Sequence, residues 1–271
     1  LEAGKHVVCE KPFSMDAAQA RLMHDRATSA GLVALVGHEF RFAPERALMA
    51  RLLGGGVIGE PRVATLVSCI DLVADPEARL APWWFDGAQG GGWLGASGSH
   101  VVDQLLTWLG EIAWLSATTT VVSDRGPDAA EDTFTISMGF RSGAVGVAQQ
   151  SAGVYGPGAG ITRVAGSHGT LWLEGSDVWL ADRAGSRRIT VPADLVLPAV
   201  MPSDDPRHRF SHLELGPYTR LAQTLRVAIG GSPLPTNPGP ASFADGVACM
   251  DVLDAVRRSA SERGTRVSVA D

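Results

Sequence analysis

The stretch Ala3-Gly4-Lys5-His6-Val7-Val8-Cys9-Glu10-Lys11-Pro12 begins as the end of a helix and finishes as the end of a strand. Ala3-Gly4 stands where a helix C-cap belongs, and His6 to Cys9 is a short run rich in β-branched residues. Downstream, Ser14 is placed to cap a helix from about Asp16 to Ala30. Its apolar stripe is Ala17, Ala20, Leu22, Met23 and Ala27, and Gly31 follows at the C-cap position. A second buried strand at Leu32 to Val36, a helix from about Pro44 to Leu53 and a strand from Arg62 to about Ile70 continue the alternation. That βαβα order is the pattern of a parallel sheet with crossover helices. Because the chain opens inside an element, we expect its natural beginning to lie upstream of Leu1.

Beyond Asp132 the pattern changes. Phe134, Ile136, Met138 and Phe140 alternate with Thr133, Thr135, Ser137 and Gly139, the period of a strand with one buried face. Arg141-Ser142-Gly143 turns it into a hairpin with Ala144 to Gln149. Further strands are predicted at Ile161 to Val164, Thr170 to Leu173, Asp177 to Ala181 and Arg188 to Val191. Helices are predicted at about Ser99 to Leu109, Pro217 to Ile229 and Ala244 to Arg263. The fold class is therefore α/β followed by α+β. We expect the C-terminal part of a nucleotide-binding domain over residues 1–60 and a mostly antiparallel sheet domain over 61–271. Short Gly-Pro loops lie at Gly156 to Gly160 and Thr236 to Pro240, and a polar run spans 204–209.

Composition excludes several classes of function. In 271 residues there are 29 acidic and 23 basic side chains, a net charge of -6, which is the wrong sign for binding a phosphate backbone. The longest apolar runs, such as Leu32 to Val36, fall far short of the roughly 20 residues that span a bilayer. A soluble cytoplasmic protein with no nucleic-acid or membrane partner is expected. Cys9, Cys69 and Cys249 are three, widely spaced and in apolar surroundings, which predicts buried reduced thiols. No His, Cys and carboxylate set has metal-ligand spacing.

Two stretches match the dinucleotide fingerprint by letter, Gly54 to Gly59 and Gly90 to Gly95. The fingerprint works only between a strand and a helix N-terminus, where helix amides hold the pyrophosphate. The first match follows a helix and precedes a strand. The second leads into a helix, but a loop rich in Trp and Pro precedes it. Neither is read as a phosphate cradle.

Candidate chemistry gathers elsewhere. Lys11 falls at the carboxyl edge of the parallel sheet, where open α/β sheets bind ligands, and its charge favours an alkoxide. His100 and Asp103 share one helix face three residues apart, so the carboxylate is expected to orient the imidazole as a general base. His38 and Arg41 follow the second strand toward the same edge. Trp83, Trp84 and Phe85 form an aromatic cluster before the glycine run, with Trp84 a candidate ligand wall.

These residues resemble the glucose-fructose oxidoreductase / inositol dehydrogenase / MocA family. The resemblance rests on Ala3 to Pro12, on Gly90 to Asp103, on Val57-Ile58-Gly59-Glu60-Pro61, and on the closing helix from Ser242-Phe243-Ala244-Asp245-Gly246 to Ser259-Ala260. It implies a Rossmann domain followed by a domain with a large open sheet, NAD or NADP as cofactor, and a sugar, polyol or related carbonyl compound as substrate. It further implies catalytic roles for Lys11 and His100, cofactor contacts from Glu10, Lys11, Pro12 and Arg41, and substrate contacts from Lys11, Trp84, His100 and Asp103. Assembly as a homodimer or homotetramer through the open sheet face is implied as well. Alternatives are a redox-assisted lyase or glycosidase on the same fold, or a non-catalytic sugar-binding or assembly module. Two departures stand out: Ala96 occupies the position of a common family aspartate, and the family's true glycine loop is not in the sequence.

Overall fold

A computed structural model of the chain describes residues 1–269 apart from 127, 157–159, 202, 206, 207 and 209. Parts of the Gly156–Gly160 loop and of the polar run 204–209 lie outside the described residues. Strand β1 (Val7–Cys9) pairs in parallel with β2 (Ala34–Val36), placing Val8 opposite Leu35, and helix α1 (Ala17–Ser29) makes the crossover. Asp16 rather than Ser14 caps α1: its carboxylate accepts from the Gln19 amide at 2.8 Å. Ser14 instead donates to the Asp16 carbonyl. The shorter hydroxyl is held two positions too early to reach the open amides of the first turn.

Helix α2 (Pro44–Gly54) has proline in its first turn, where a missing amide costs nothing. Strand β3 (Pro61–Cys69) then leaves the parallel pair and enters a nine-stranded sheet. In order across it lie β10 (Gly185–Ile189), β9 (Asp177–Asp182), β8 (Thr170–Glu174), β7 (Ile161–Gly166), β3, β6 (Val145–Ser151), β5 (Thr133–Phe140), β4 (Ile112–Thr120) and β11 (Val267–Ser268). The pairings are antiparallel except β3 with β6. The expected mostly antiparallel sheet is present. Strand β4 was not anticipated, because a register shift between Ile112 and Trp114 breaks the period of two.

Helix α3 (Ser99–Leu109) follows a π-helical turn over Leu94–Gly98. Helix α4 (Ser211–Ile229) starts earlier than expected and carries Pro217 inside it, so the proline is not a helix start. Helix α5 (Phe243–Ser261) opens on a capping box in which Ser242 and Asp245 satisfy each other's amides. One core cluster runs from Phe13, Ala20 and Val36 through Leu105 to Phe134, Met138 and Leu253. The β1–β2 unit is thus packed directly onto the helices that cover the large sheet. Of the three free thiols only Cys249 is buried; Cys9 and Cys69 are half-buried, since both strand ends stand at the rim of that core.

Candidate active site

The carboxyl ends of β1 and β2 meet the start of α3. Lys11 leaves β1 through a cis peptide to Pro12 and donates from Nζ to the Ala96 carbonyl at 2.8 Å. This bond ties the sheet edge to the turn before α3. The glycine run makes the approach close: a Cβ on Gly95 would stand 2.8 Å from the Gly90 carbonyl oxygen and 3.6 Å from Pro12 Cγ. On the other strand, a Cβ on Gly37 would come within 3.1 Å of Glu10 Oε2. Glu10 in turn accepts a 2.8 Å hydrogen bond from the Tyr218 hydroxyl of α4, which closes the edge from a third side.

His100 is 7% exposed and is wrapped by three consecutive residues that follow β2. The His38 ring lies edge-on at 5.5 Å, the Phe40 ring at 4.5 Å, and Glu39 Oε1 stands 3.9 Å from His100 Nε2. His100 Nδ1 and both His38 nitrogens are buried without a hydrogen-bond partner. Burial, then the positive charge of Lys11, holds His100 well below the usual imidazole range. Burial lowers His38 in the same way. Burial pushes the Glu39 carboxyl up to about 7. His100 also borders a cavity of about 210 Å³ shared with Phe40, Arg46 and Gln104, and Lys11 is not among its lining residues.

Asp103 does not orient His100. It is 3% exposed and grips the Arg41 guanidinium through both oxygens, at 2.6 Å to Nη2 and 2.9 Å to Nε. Arg41 reaches Asp245 at 3.1 Å and donates to the Pro240 carbonyl as well. The expected roles of Arg41 at a cofactor and of Asp103 at a substrate meet this fact: both side chains are engaged inside the protein. A planar five-donor guanidinium matches a buried carboxylate better than an imidazole does. Trp84 lies apart from these groups, in a satellite cluster with Leu72, Val73 and Trp93. Its ring is 5.6 Å from Trp83 and 5.8 Å from Trp93. Glu39 is the residue that the sequence reading missed. Its only signal was its position, three residues past a buried strand beside His38 and Arg41.

Gly54–Gly59 joins α2 to β3, and Gly90–Gly95 feeds the π-helical turn. Among the described residues no strand, glycine loop and helix form a pyrophosphate cradle. The β1–β2 edge, with Glu10, Lys11, Pro12 and the small Gly37, fits the nicotinamide-ribose end of a dinucleotide: it combines donors, an acceptor and a close backbone approach. No group of three His, Cys, Asp or Glu side chains among the described residues is placed to hold a metal.

A parallel β-α-β unit with a polar carboxyl edge, docked on a large mostly antiparallel sheet, defines a two-part architecture of α/β followed by α+β. The model of the GFO/IDH/MocA C-terminal domain matches residues 47–172, and that of the oxidoreductase family, NAD-binding Rossmann fold, matches residues 1–38. The chain belongs to this NAD-binding GFO/IDH/MocA oxidoreductase family. It is 27% identical over 215 residues to levoglucosan dehydrogenase of Pseudarthrobacter phenanthrenivorans, covering 71% of this chain and 54% of that one. It is 36% identical over 105 residues to trans-1,2-dihydrobenzene-1,2-diol dehydrogenase of Mus musculus, covering 39% of this chain and 30% of that one. The chain thus spans about half or less of these curated relatives. Among solved structures, an oxidoreductase domain protein from Kribbella flavida matches at 28% identity and a TM-score of 0.82, over 100% of this chain and 75% of that chain. Levoglucosan dehydrogenase in complex with NADH and levoglucosan shares the fold at 23% identity and a TM-score of 0.82, with the same coverage. No helix among the described residues is long and apolar enough to cross a membrane.

Proposed function

We propose that the protein is an NAD(P)-dependent dehydrogenase or reductase of a small sugar, polyol or related carbonyl compound, working at the carboxyl edge of the β1–β2 pair with Lys11 and His100 as its polar groups. The observation that carries this reading is the Lys11 ammonium anchored to the Ala96 carbonyl at the carboxyl edge of a parallel strand pair, with its charge felt by the buried His100 imidazole on the helix that follows that turn. A cation fixed in a partly dry site favours an oxyanion far more than one in water does. Glu10, Lys11 and Pro12 would hold the nicotinamide ribose, and the bound nicotinamide supplies the hydride acceptor or donor. Lys11 steadies the substrate oxygen as its proton leaves, and His100 supplies a second polar contact to that oxygen. Glu10, Glu39 and Glu214 stand near the Lys11 cation, with Arg46 on the far side of Glu39, so acidic groups outnumber basic ones, a balance that favours a neutral polyol over an acid. Levoglucosan dehydrogenase among the relatives points to the same substrate class.

The test is an absorbance assay of dinucleotide reduction by the full-length protein across a panel of sugars and polyols. Turnover with at least one of them is expected, with Lys11→Ala and His100→Asn each lowering it by about 10² or more. No turnover in the whole panel, or variants within threefold of wild type, would overturn the reading. We further propose that a second copy of the chain covers the open face of the large sheet.

A further inference from the structure

We propose that Glu39 is the proton acceptor of this site, and that the neutral His100 and Lys11 act together on the substrate oxygen as donors. The proposal rests on the oxidoreductase reading above and deepens it by assigning the proton. Three observations of geometry carry it. Ala96 leaves the turn before α3 without a carboxylate, and Asp103, the other acid on α3 near His100, is held by Arg41. Glu39 is a carboxylate buried to 3% exposure, and its side chain is turned toward His100 of α3. Its Oε1 and His100 Nε2 stand 3.9 Å apart, so one hydroxyl set to the side of the line that joins them reaches both at ordinary hydrogen-bond length.

The environment agrees. The groups facing Glu39 are Lys11 and Glu10 from the β1 edge, His100 from α3, Arg46 from α2, and Glu214 and Tyr218 from α4. Burial, with Glu10 and Glu214, outweighs a hydrogen bond to the residue's own backbone and the charge of Lys11, and leaves the carboxyl at about 7, where a general base works best at neutral pH. His100 lies well below its ordinary range, so it is a poor proton acceptor and remains an uncharged donor. In the oxidation, the substrate O–H bond breaks and its proton passes to Glu39 Oε1. The carbinol C–H bond would break as hydride and a carbonyl form, with a bound oxidised nicotinamide supplying the two-electron acceptor. The proton on Glu39 then leaves to water.

The experiment compares wild type, Glu39→Gln and Glu39→Asp in the full chain with its dinucleotide. The protonated-carboxyl infrared band is expected to titrate with a midpoint of about 7 in wild type and to be lost in E39Q. The ¹⁵N shift of His100 Nε2 is expected to follow the same midpoint in wild type and not in E39Q. The kcat/KM profile of wild type should fall below that pH. E39Q should lose about 10² or more in kcat with KM within threefold, and E39D should recover part of it while keeping the acid limb. Stability supplies a control on folding. An acid raised from 4.5 to about 7 means that the native state binds more protons than the unfolded chain between those pH values. Wild-type stability therefore falls as pH rises through that window, and E39Q removes the fall, melting higher than wild type at pH 8. A flat infrared trace above pH 6, or E39Q turning over within threefold of wild type with an unchanged pH profile, overturns the proposal. If no substrate turns over, the oxidoreductase reading fails. The infrared and ¹⁵N titrations then still decide whether Glu39 and His100 form one proton-sharing pair.

Discussion

At the scale of residues, the Arg41–Asp103 pair decides what the site can be. Both side chains are nearly dry, at 10% and 5% exposure, and the pair joins the turn after β2 to α3 and, through Asp245, to the cap of α5. Removing one partner of a buried pair strands the other charge, which costs about 3–5 kcal/mol. Arg41→Ala is therefore expected to lower the unfolding free energy by about that amount, whereas Arg41→Met with Asp103→Leu is expected to lose much less. Urea titration of the three proteins measures it, and a single-variant loss under about 1 kcal/mol would show that the pair is not the clamp described. Much of the site was legible in the sequence. Lys11 at a strand end and His100 in the first turn of a helix follow from local pattern, and both stand where expected. The partner of His100 was not legible. Spacing along α3 offered Asp103, but the choice between an imidazole and a guanidinium is made by Arg41, 62 positions away in sequence. Glu39 stayed hidden because nothing local distinguishes a buried carboxylate from a solvated one in a short polar turn.

At the scale of elements, the docking of α5 against α1 and β2 holds the two halves of the site together. Arg21 and Asp251 bridge the helices at 2.6 Å, and the Ala17 amide donates to Asp254 at 2.8 Å. Gly246 sets the approach: a Cβ there would stand 2.5 Å from Phe13 Cδ1 and 2.9 Å from Val36 Cγ2. Phe13 itself packs on Phe243 with ring centroids 4.4 Å apart, so it has little room to retreat. Gly246→Ala gains about 1 kcal/mol of helix propensity but overpacks a filled core at about 1–3 kcal/mol. A net loss is expected on chemical denaturation, partly recovered when Phe13→Leu is added. A more stable G246A protein would mean that the helices can part without cost. Elements with a clean period were readable from sequence. Strand β5 and helix α3 match their expected ranges to within a residue. Strand β4 was lost because its bulge breaks the alternation, and α4 was shortened because a proline inside a helix looks like a proline at its start. In both places tertiary packing overrides the local signal.

At the scale of the whole molecule, the nine-stranded sheet presents two unlike faces. Leu66, Phe134, Ile136, Met138, Ala148 and Leu171 lie on the face that joins the core, at 5% exposure or less. The opposite face carries Val63 opposite Val145, and Val147 opposite Thr65, with the three valines between 42% and 46% exposed. Ile161, opposite Val67, extends the patch at 51%, and on β8 and β9 the Trp172 and Trp179 rings stack at 5.9 Å. The valines and Ile161 form an exposed β-branched patch, separated from the tryptophan stack by the exposed Arg163 that pairs Thr65 and Trp172, and such a patch marks a candidate contact surface. Under the proposed two-fold pairing the same patch would be buried on both copies and the row would become a shared second core. Wild type is expected to sediment as a dimer or larger, and Val147→Lys with Val63→Glu is expected to sediment as a monomer with an unchanged circular dichroism spectrum. Those two positions point away from the core, so the charges weaken association without disturbing the fold. A wild-type monomer at tens of micromolar, or a charged variant that still associates, would place the contact elsewhere. The stakes reach the site: β3 runs back from this face to Pro61, only seven residues past α2, which packs on α3 and its His100.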